Sequence, residues 1–342
     1  MASQPHRLWL FIFGLTVCVW AFYFLEFASV DGEVQRSENL IAELVAQQEP
    51  ITPIPLEIKL DSRRVALGRR LFHDPRLSSD NLISCAHCHN LANGGMDNLP
   101  RSIGVGGKEG NINAPTVLNS GFNASLFWDG RAATLEAQVD FPMLHTCEMG
   151  SLWPDVLGKL QQDADYLNSF REIYPEGIRE DSVRNAIATF ERSLITPNSK
   201  FDRYLRGDKY ALSGDELAGY ELFKGLGCIS CHQGMNVGGN MYEKLGLFGD
   251  YFANRGNVQQ VDYGRYNVTK IEEHRYEFRV PSLRNVALTA PYFHDASAAT
   301  LEQAVAIMGQ YQLGVELSKE EIRRIVMFLD TLTGENPAGA GK

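Results

Sequence analysis

Apolar residues follow two patterns along the chain: one unbroken run near the start, and helical spacing further on. Leu8 to Leu25, LWLFIFGLTVCVWAFYFL, runs 18 residues without a charge, close to the length of a bilayer crossing. His6 and Arg7 precede it, while Glu26, Asp31 and Glu33 follow, which predicts an N-terminus in the cytoplasm. The exit, LEFASVDG, puts Phe27 or Glu26 where a cleaved leader needs a small residue. An uncleaved signal anchor over residues 1–30 is therefore expected, with the rest of the chain on the outer, periplasmic side of a bacterial inner membrane. A cleaved leader would export the chain to the same place. Residues 31–55 read as a polar, partly helical tether ending in the Pro-rich EPITPIPLE.

Past the tether, the spacing is helical. Val183, Ile187, Phe190 and Leu194 share one face before Thr196-Pro197 stops the run. Ser318 and Glu321 have the spacing of a capping box, followed by Ile322, Ile325, Val326 and Leu329; Ser213 and Glu216 repeat that box. Period-two alternation is hard to find. The class predicted is mainly α.

The chain also repeats itself. Pro115 to Val139, PTVLNSGFNASLFWDGRAATLEAQV, aligns without a gap on Pro281 to Val305, PSLRNVALTAPYFHDASAATLEQAV, with 11 of 25 positions identical at a constant offset of 166. An internal duplication means two similar units, so each half can be read against the other. The expected domains span 56–205 and 206–336.

With 342 residues and a net charge of −10 but no Lys/Arg-rich run, nucleic acid is an unfavourable partner. The six cysteines do not form a disulfide framework, because four of them fall in two Cys-x-x-Cys-His pentads: Cys85, Cys88 and His89, then Cys228, Cys231 and His232. Two cysteines at that spacing can add their sulfurs to the vinyl groups of a haem, and the histidine then lies under the iron. Two covalent haem c groups are expected. Cys18 lies in the apolar run, and Cys147 reads as a buried thiol.

The two halves differ where chemistry needs them to. At the same offset, Met308 falls opposite Pro142. A thioether is a soft axial ligand that raises haem potential, whereas proline offers iron nothing. The second haem therefore reads as a His232/Met308 electron relay, and the first as open on one side. Glu148, six residues past Pro142, would move a proton between the two oxygens of peroxide if it lay over that open haem; taken alone, a loop Glu reads equally as a solvated carboxylate.

Together LFHDPRLSSDNLISCAHCHN, SIGVGG, PTVLN, FWDGRA, KGLGCISCHQG, VPSLRNVALTAPYFHD and QLG resemble the bacterial dihaem cytochrome c peroxidases, from about residue 55 to residue 335. The resemblance implies two cytochrome c-like haem domains, the N-terminal one peroxidatic and the C-terminal one taking electrons from a small periplasmic cytochrome c or cupredoxin. It also implies a calcium ion between the domains, held by Asn113, Thr289 and Pro291, and homodimer formation. By the same resemblance Glu148 is the catalytic acid/base, Gln138 the distal amide, Trp128 the tryptophan between the haems, and Met308 the axial methionine. Oxygen ligands suit calcium.

Val105 departs from that family. Many members read SIGHG, and their histidine caps the peroxidatic iron at rest; here the stretch is SIGVGG. The first haem is therefore expected to be permanently open. His73 and His145 are the remaining candidates for the missing ligand, both expected instead as surface residues or as residues behind the ligands, and His294, opposite Trp128, is expected to hydrogen-bond near the second haem. A protein-modifying oxidase of the methylamine-utilisation type is the competing function. Those enzymes carry tyrosine on the second iron, and Tyr311 lies three residues from Met308. A third class, pure electron transfer or haem sensing, would need both irons six-coordinate.

Overall fold

The computed structural model describes residues 49–336. The signal anchor over 1–30, with Cys18, and most of the 31–55 tether lie outside the described residues. No helix among the described residues is long and apolar enough to cross a membrane. The helices are α1 (Ser62–Phe72), α2 (Cys85–Cys88), α3 (Leu135–Leu144), α4 (Trp153–Gln161), α5 (Ala164–Ile173) and α6 (Glu180–Ser193). They continue as α7 (Lys200–Leu205), α8 (Gly214–Gly225), α9 (Tyr251–Arg255), α10 (Tyr266–Thr269), α11 (Leu301–Ile307) and α12 (Lys319–Asp330). One antiparallel ribbon, β1 (Tyr242–Lys244) with β2 (Glu277–Arg279), pairs Tyr242 with Arg279. Its strands are too short to leave an alternating signature in sequence.

The expected caps form. The Ser213 hydroxyl accepts from the Glu216 amide and the Glu216 carboxylate accepts from the Ser213 amide, and Ser318 and Glu321 repeat both bonds. These exchanges satisfy amides that the first helical turn leaves without partners. Val183, Ile187, Phe190 and Leu194 are all buried in a first apolar core, with Leu67, Leu71 and Phe72 of α1. A second core gathers Phe201, Tyr220, Phe223, Ile325, Phe328 and Leu329, and takes in Ile51 from the end of the tether.

Each core is closed by the same helix crossing. A Cβ on Gly68 of α1 would sit 1.9 Å from the Ala186 carbonyl oxygen of α6; one on Gly219 of α8 would sit 2.0 Å from that of Arg324 of α12. Only glycine lets these backbones meet.

The 166-residue offset persists in the backbone. Isolated bridges join Leu126 to Ala132 and Tyr292 to Ala298. Asn119 and Asn285 have φ of 59° and 58°, and Phe127 and Phe293 have 69° and 68°. Thr134 caps α3 and Thr300 caps α11 through their hydroxyls. The match ends where the helices do: α3 runs on through Pro142 to Leu144, but α11 stops at Ile307 and the chain continues as a π turn, Met308–Leu313.

Candidate functional site

The first pentad lies on the short helix α2, with His89 as its C-cap; the second winds as a 3₁₀ turn, Cys228–Ser230, entered from left-handed Gly227. None of the five described cysteines forms a disulfide. The Nδ1–H of His89 donates to the Gly95 carbonyl at 3.2 Å, and that of His232 to the Val237 carbonyl at 3.4 Å. A carbonyl on Nδ1 fixes the ring and leaves Nε2 to ligate a metal. Burial pushes both imidazoles below their ordinary range, His232 to about 4, so both rings are neutral at pH 7.

Around the second pentad the protein forms a cavity of about 510 Å³, lined by Cys228, Cys231, His232 and Met308 and walled by Phe223, Phe278, Val305 and Leu329. Arg279 also lines it, only 4% exposed. Its guanidinium donates to the Phe127 carbonyl at 3.2 Å and to the Asn123 carbonyl oxygen Oδ1 at 3.4 Å, yet no carboxylate meets it among the described residues. Desolvation pushes its pKa down to about 10. An apolar slot with an uncompensated cation fits a flat macrocycle that carries acidic side arms, with His232 and Met308 available for its iron. Tyr311, on the same π turn, does not line the cavity; it packs edge-on against Tyr251 with ring centroids 5.4 Å apart.

At the first pentad the surroundings differ. Pro142, the counterpart of Met308, lies inside α3 and carries no sulfur; its neighbour Met143 is buried in the first apolar core. Val105 is 7% exposed, and its amide donates to the Glu148 carbonyl at 2.8 Å. A Cβ on Gly104 would meet the Cys147 and Glu148 carbonyl oxygens at 2.1 and 2.5 Å, so this glycine lets the SIGVGG loop lie directly on the turn that carries Glu148. The Glu148 carboxylate is half-buried, with His145 Nδ1 at 3.5 Å, and its charge is felt at Cys88. Loss of hydration raises its pKa, while His145 and Arg131 pull the other way.

The two remaining candidates for a substitute ligand have partners of their own, as the surface reading expects. His73 caps α1, with Nδ1 on the Arg69 carbonyl at 2.8 Å, and His145 Nδ1 accepts from the Cys147 amide at 3.3 Å, with the Glu148 carboxylate 3.5 Å away. Cys147, expected as a buried thiol, is partly exposed, its amide on His145. Gln138 is half-buried on α3, one turn past the Thr134 cap.

Between the halves, the Asn113 backbone joins the repeat partners Trp128 and His294. Trp128 Nε1 donates to the Asn113 carbonyl at 3.0 Å, and the Asn113 amide donates to the His294 carbonyl at 2.8 Å. As expected, His294 is a hydrogen-bonding group, its Nε2 2.7 Å from Asp262 Oδ1. Asn113, Thr289 and Pro291 all line the cavity. The Asn113 Nδ2 donates to the Leu99 carbonyl at 2.9 Å.

Sequence reading passed over Arg279 and Glu191. The signal for Glu191 was present: a carboxyl next to Phe190 on the apolar face of α6.

The chain matches the model of the di-haem cytochrome c peroxidases over residues 62–210. It is 50% identical over 304 residues to Cytochrome c peroxidase Ccp of Escherichia coli K12, covering 88% of this chain but 65%, just under two thirds, of that protein. Against Cytochrome c551 peroxidase of Nitrosomonas europaea it is 47% identical over 297 residues, covering 86% of this chain and 87% of that one. A crystal structure of a MauG-like protein associated with microbial copper homeostasis superposes with a TM-score of 0.72 at 29% identity, over 83% of this chain and 93% of the other. Two attachment pentads, a slot shaped for a macrocycle and relatives of this similarity agree: the chain belongs to the di-haem cytochrome c peroxidases, a family of oxidoreductases.

Proposed function

We propose that this chain reduces hydrogen peroxide to water at its first haem, with electrons that enter through the second. Haem c, attached through Cys85 and Cys88 and through Cys228 and Cys231, supplies redox-active iron, with His89 and His232 as the proximal ligands. Neither Val105 nor Pro142 could ligate iron, so the first site would admit peroxide, whereas Met308 would hold the iron of the second together with His232.

Glu148 acts on the proton. Its carboxylate takes the proton from one peroxide oxygen and returns it to the other, which leaves as water, so the acid ends the step as it began. A carboxyl raised by desolvation holds a proton more readily than a solvated one, as the delivery half of that step requires. Gln138 orients peroxide by hydrogen bonding, and Trp128, pinned by its Nε1–H bond to Asn113, lies on the electron path from the second half. The overall balance is H₂O₂ + 2H⁺ + 2e⁻ → 2H₂O.

A small periplasmic donor, a cytochrome c or a cupredoxin, supplies the electrons one at a time. The chain sits on the periplasmic face of the inner membrane behind its N-terminal anchor, works as two haem domains over 56–205 and 206–336, and assembles as a homodimer. Calcium held by Asn113 Oδ1 and the Thr289 and Pro291 carbonyls stiffens the junction. Supporting this over the methylamine-utilisation reading, Met308 lines the cavity with His232 and Tyr311 does not.

The observation that carries the proposal is the Glu148 turn, held by Val105 beside the first pentad. Mixing peroxide and reduced cytochrome c with catalytic protein should oxidise the cytochrome at two per peroxide. No oxidation with any small cytochrome or cupredoxin donor would refute it.

A further inference from the structure

Among the described residues, Glu191 has a buried carboxylate oxygen with no hydrogen-bond partner, on a side chain 5% exposed. The register of the two helix crossings says what it faces. Ala186 and Phe190 meet Gly68 as Arg324 and Phe328 meet Gly219. The Leu194 carbonyl accepts from the Asn119 amide as that of Leu332 accepts from Asn285. Glu191 is therefore the counterpart of Leu329, which lines the cavity with Cys228 and His232. The charge of Glu191 is felt at Cys85 in turn. At this position of the helix crossing the second half carries hydrocarbon and the first carries an acid.

We propose that Glu191 is a proton-holding residue of the first haem pocket, taking a proton from solvent when that centre gains an electron and returning it when the electron leaves. This rests on the reading that Cys85 and His89 hold haem. One electron arrives and one O–H bond forms, so the pocket's charge is unchanged.

The neighbours leave the carboxylate uncompensated. Arg192, next in the chain, is held by both carboxylate oxygens of Glu136 at 2.8 Å, and Arg184 by Asp140 and Glu180. From α1, Arg64 bonds Asn185 and His73 bonds the Arg69 carbonyl. Burial pushes the Glu191 carboxyl up to about 8, with Arg192 opposing and Glu136 adding to the rise. Negative charge added nearby pushes it further in the same direction.

The test uses protein whose two haems have been counted by absorbance; a preparation lacking the first haem would contradict the proposed function instead. The midpoint potential of the first haem is titrated spectroelectrochemically from well below to well above pH 8, in wild type, Glu191→Gln and Glu191→Leu. The wild-type potential should fall with rising pH through that region, and both variants should lose that part of the curve while the second haem's curve stays as it was. An unchanged curve in Glu191→Gln overturns the proposal. If Glu191→Leu fails to assemble, Glu191→Gln decides. A carboxylic C=O band in the wild-type reduced-minus-oxidised infrared difference, absent from Glu191→Gln, supports the assignment; no such band in wild type overturns it.

Discussion

Asn119 and Asn285, 166 residues apart, donate their side-chain amides to the same hydroxyl, that of Thr196, at 2.7 and 2.9 Å. Both asparagines hold left-handed backbone, and all three residues are buried. Each carbonyl oxygen Oδ1 also accepts from a backbone amide, Thr196 for the first and Gly334 for the second. The two repeats thus meet at one polar point inside an apolar interior.

Replacing Thr196 with valine keeps the shape and removes the acceptor, leaving two buried amides without it. Each unsatisfied group costs about 1–3 kcal/mol, so Thr196→Val should destabilise the haem-loaded protein by roughly 2 kcal/mol or more in denaturant titration. A change below about 0.5 kcal/mol would mean the amides find other partners.

Much of this was legible in advance. The duplication, the caps at Ser213 and Ser318, the pentads and the contrast of Met308 with Pro142 are properties of short segments, and short segments carry their own spacing. What was not legible depends on who comes near. Arg279 reads as an ordinary surface cation until the fold buries it with no carboxylate partner among the described residues. Glu191 reads as a break in an apolar stripe until the crossing of α1 and α6 turns it inward. The π turn at Met308 has no local signature, because the sequence of α11 up to Ile307 continues the helical pattern; such turns gather at functional sites.

Glu148→Gln keeps the size and hydrogen-bonding capacity of the side chain but cannot carry the proton. Peroxide turnover should fall by about 10²- to 10⁴-fold, with the absorption spectra of both haems unchanged. Steady-state assay with a reduced cytochrome checks this, and unaltered turnover would remove Glu148 from the mechanism.

Met308→His should lower the potential of the second haem and slow electron entry, because nitrogen favours the oxidised iron more than a thioether does. A redox titration reads the potential, and stopped-flow reduction by the donor reads the rate. If the potential does not move, the second iron takes its outer ligand from elsewhere.

The central claim is that the two haems are unequal, one open and one saturated. An electron paramagnetic resonance spectrum of the fully oxidised protein tests it most directly. The account predicts a high-spin ferric signal from the first haem beside a low-spin signal of His/Met type from the second. Two low-spin signals, each from an iron with a protein ligand on both faces, would contradict it.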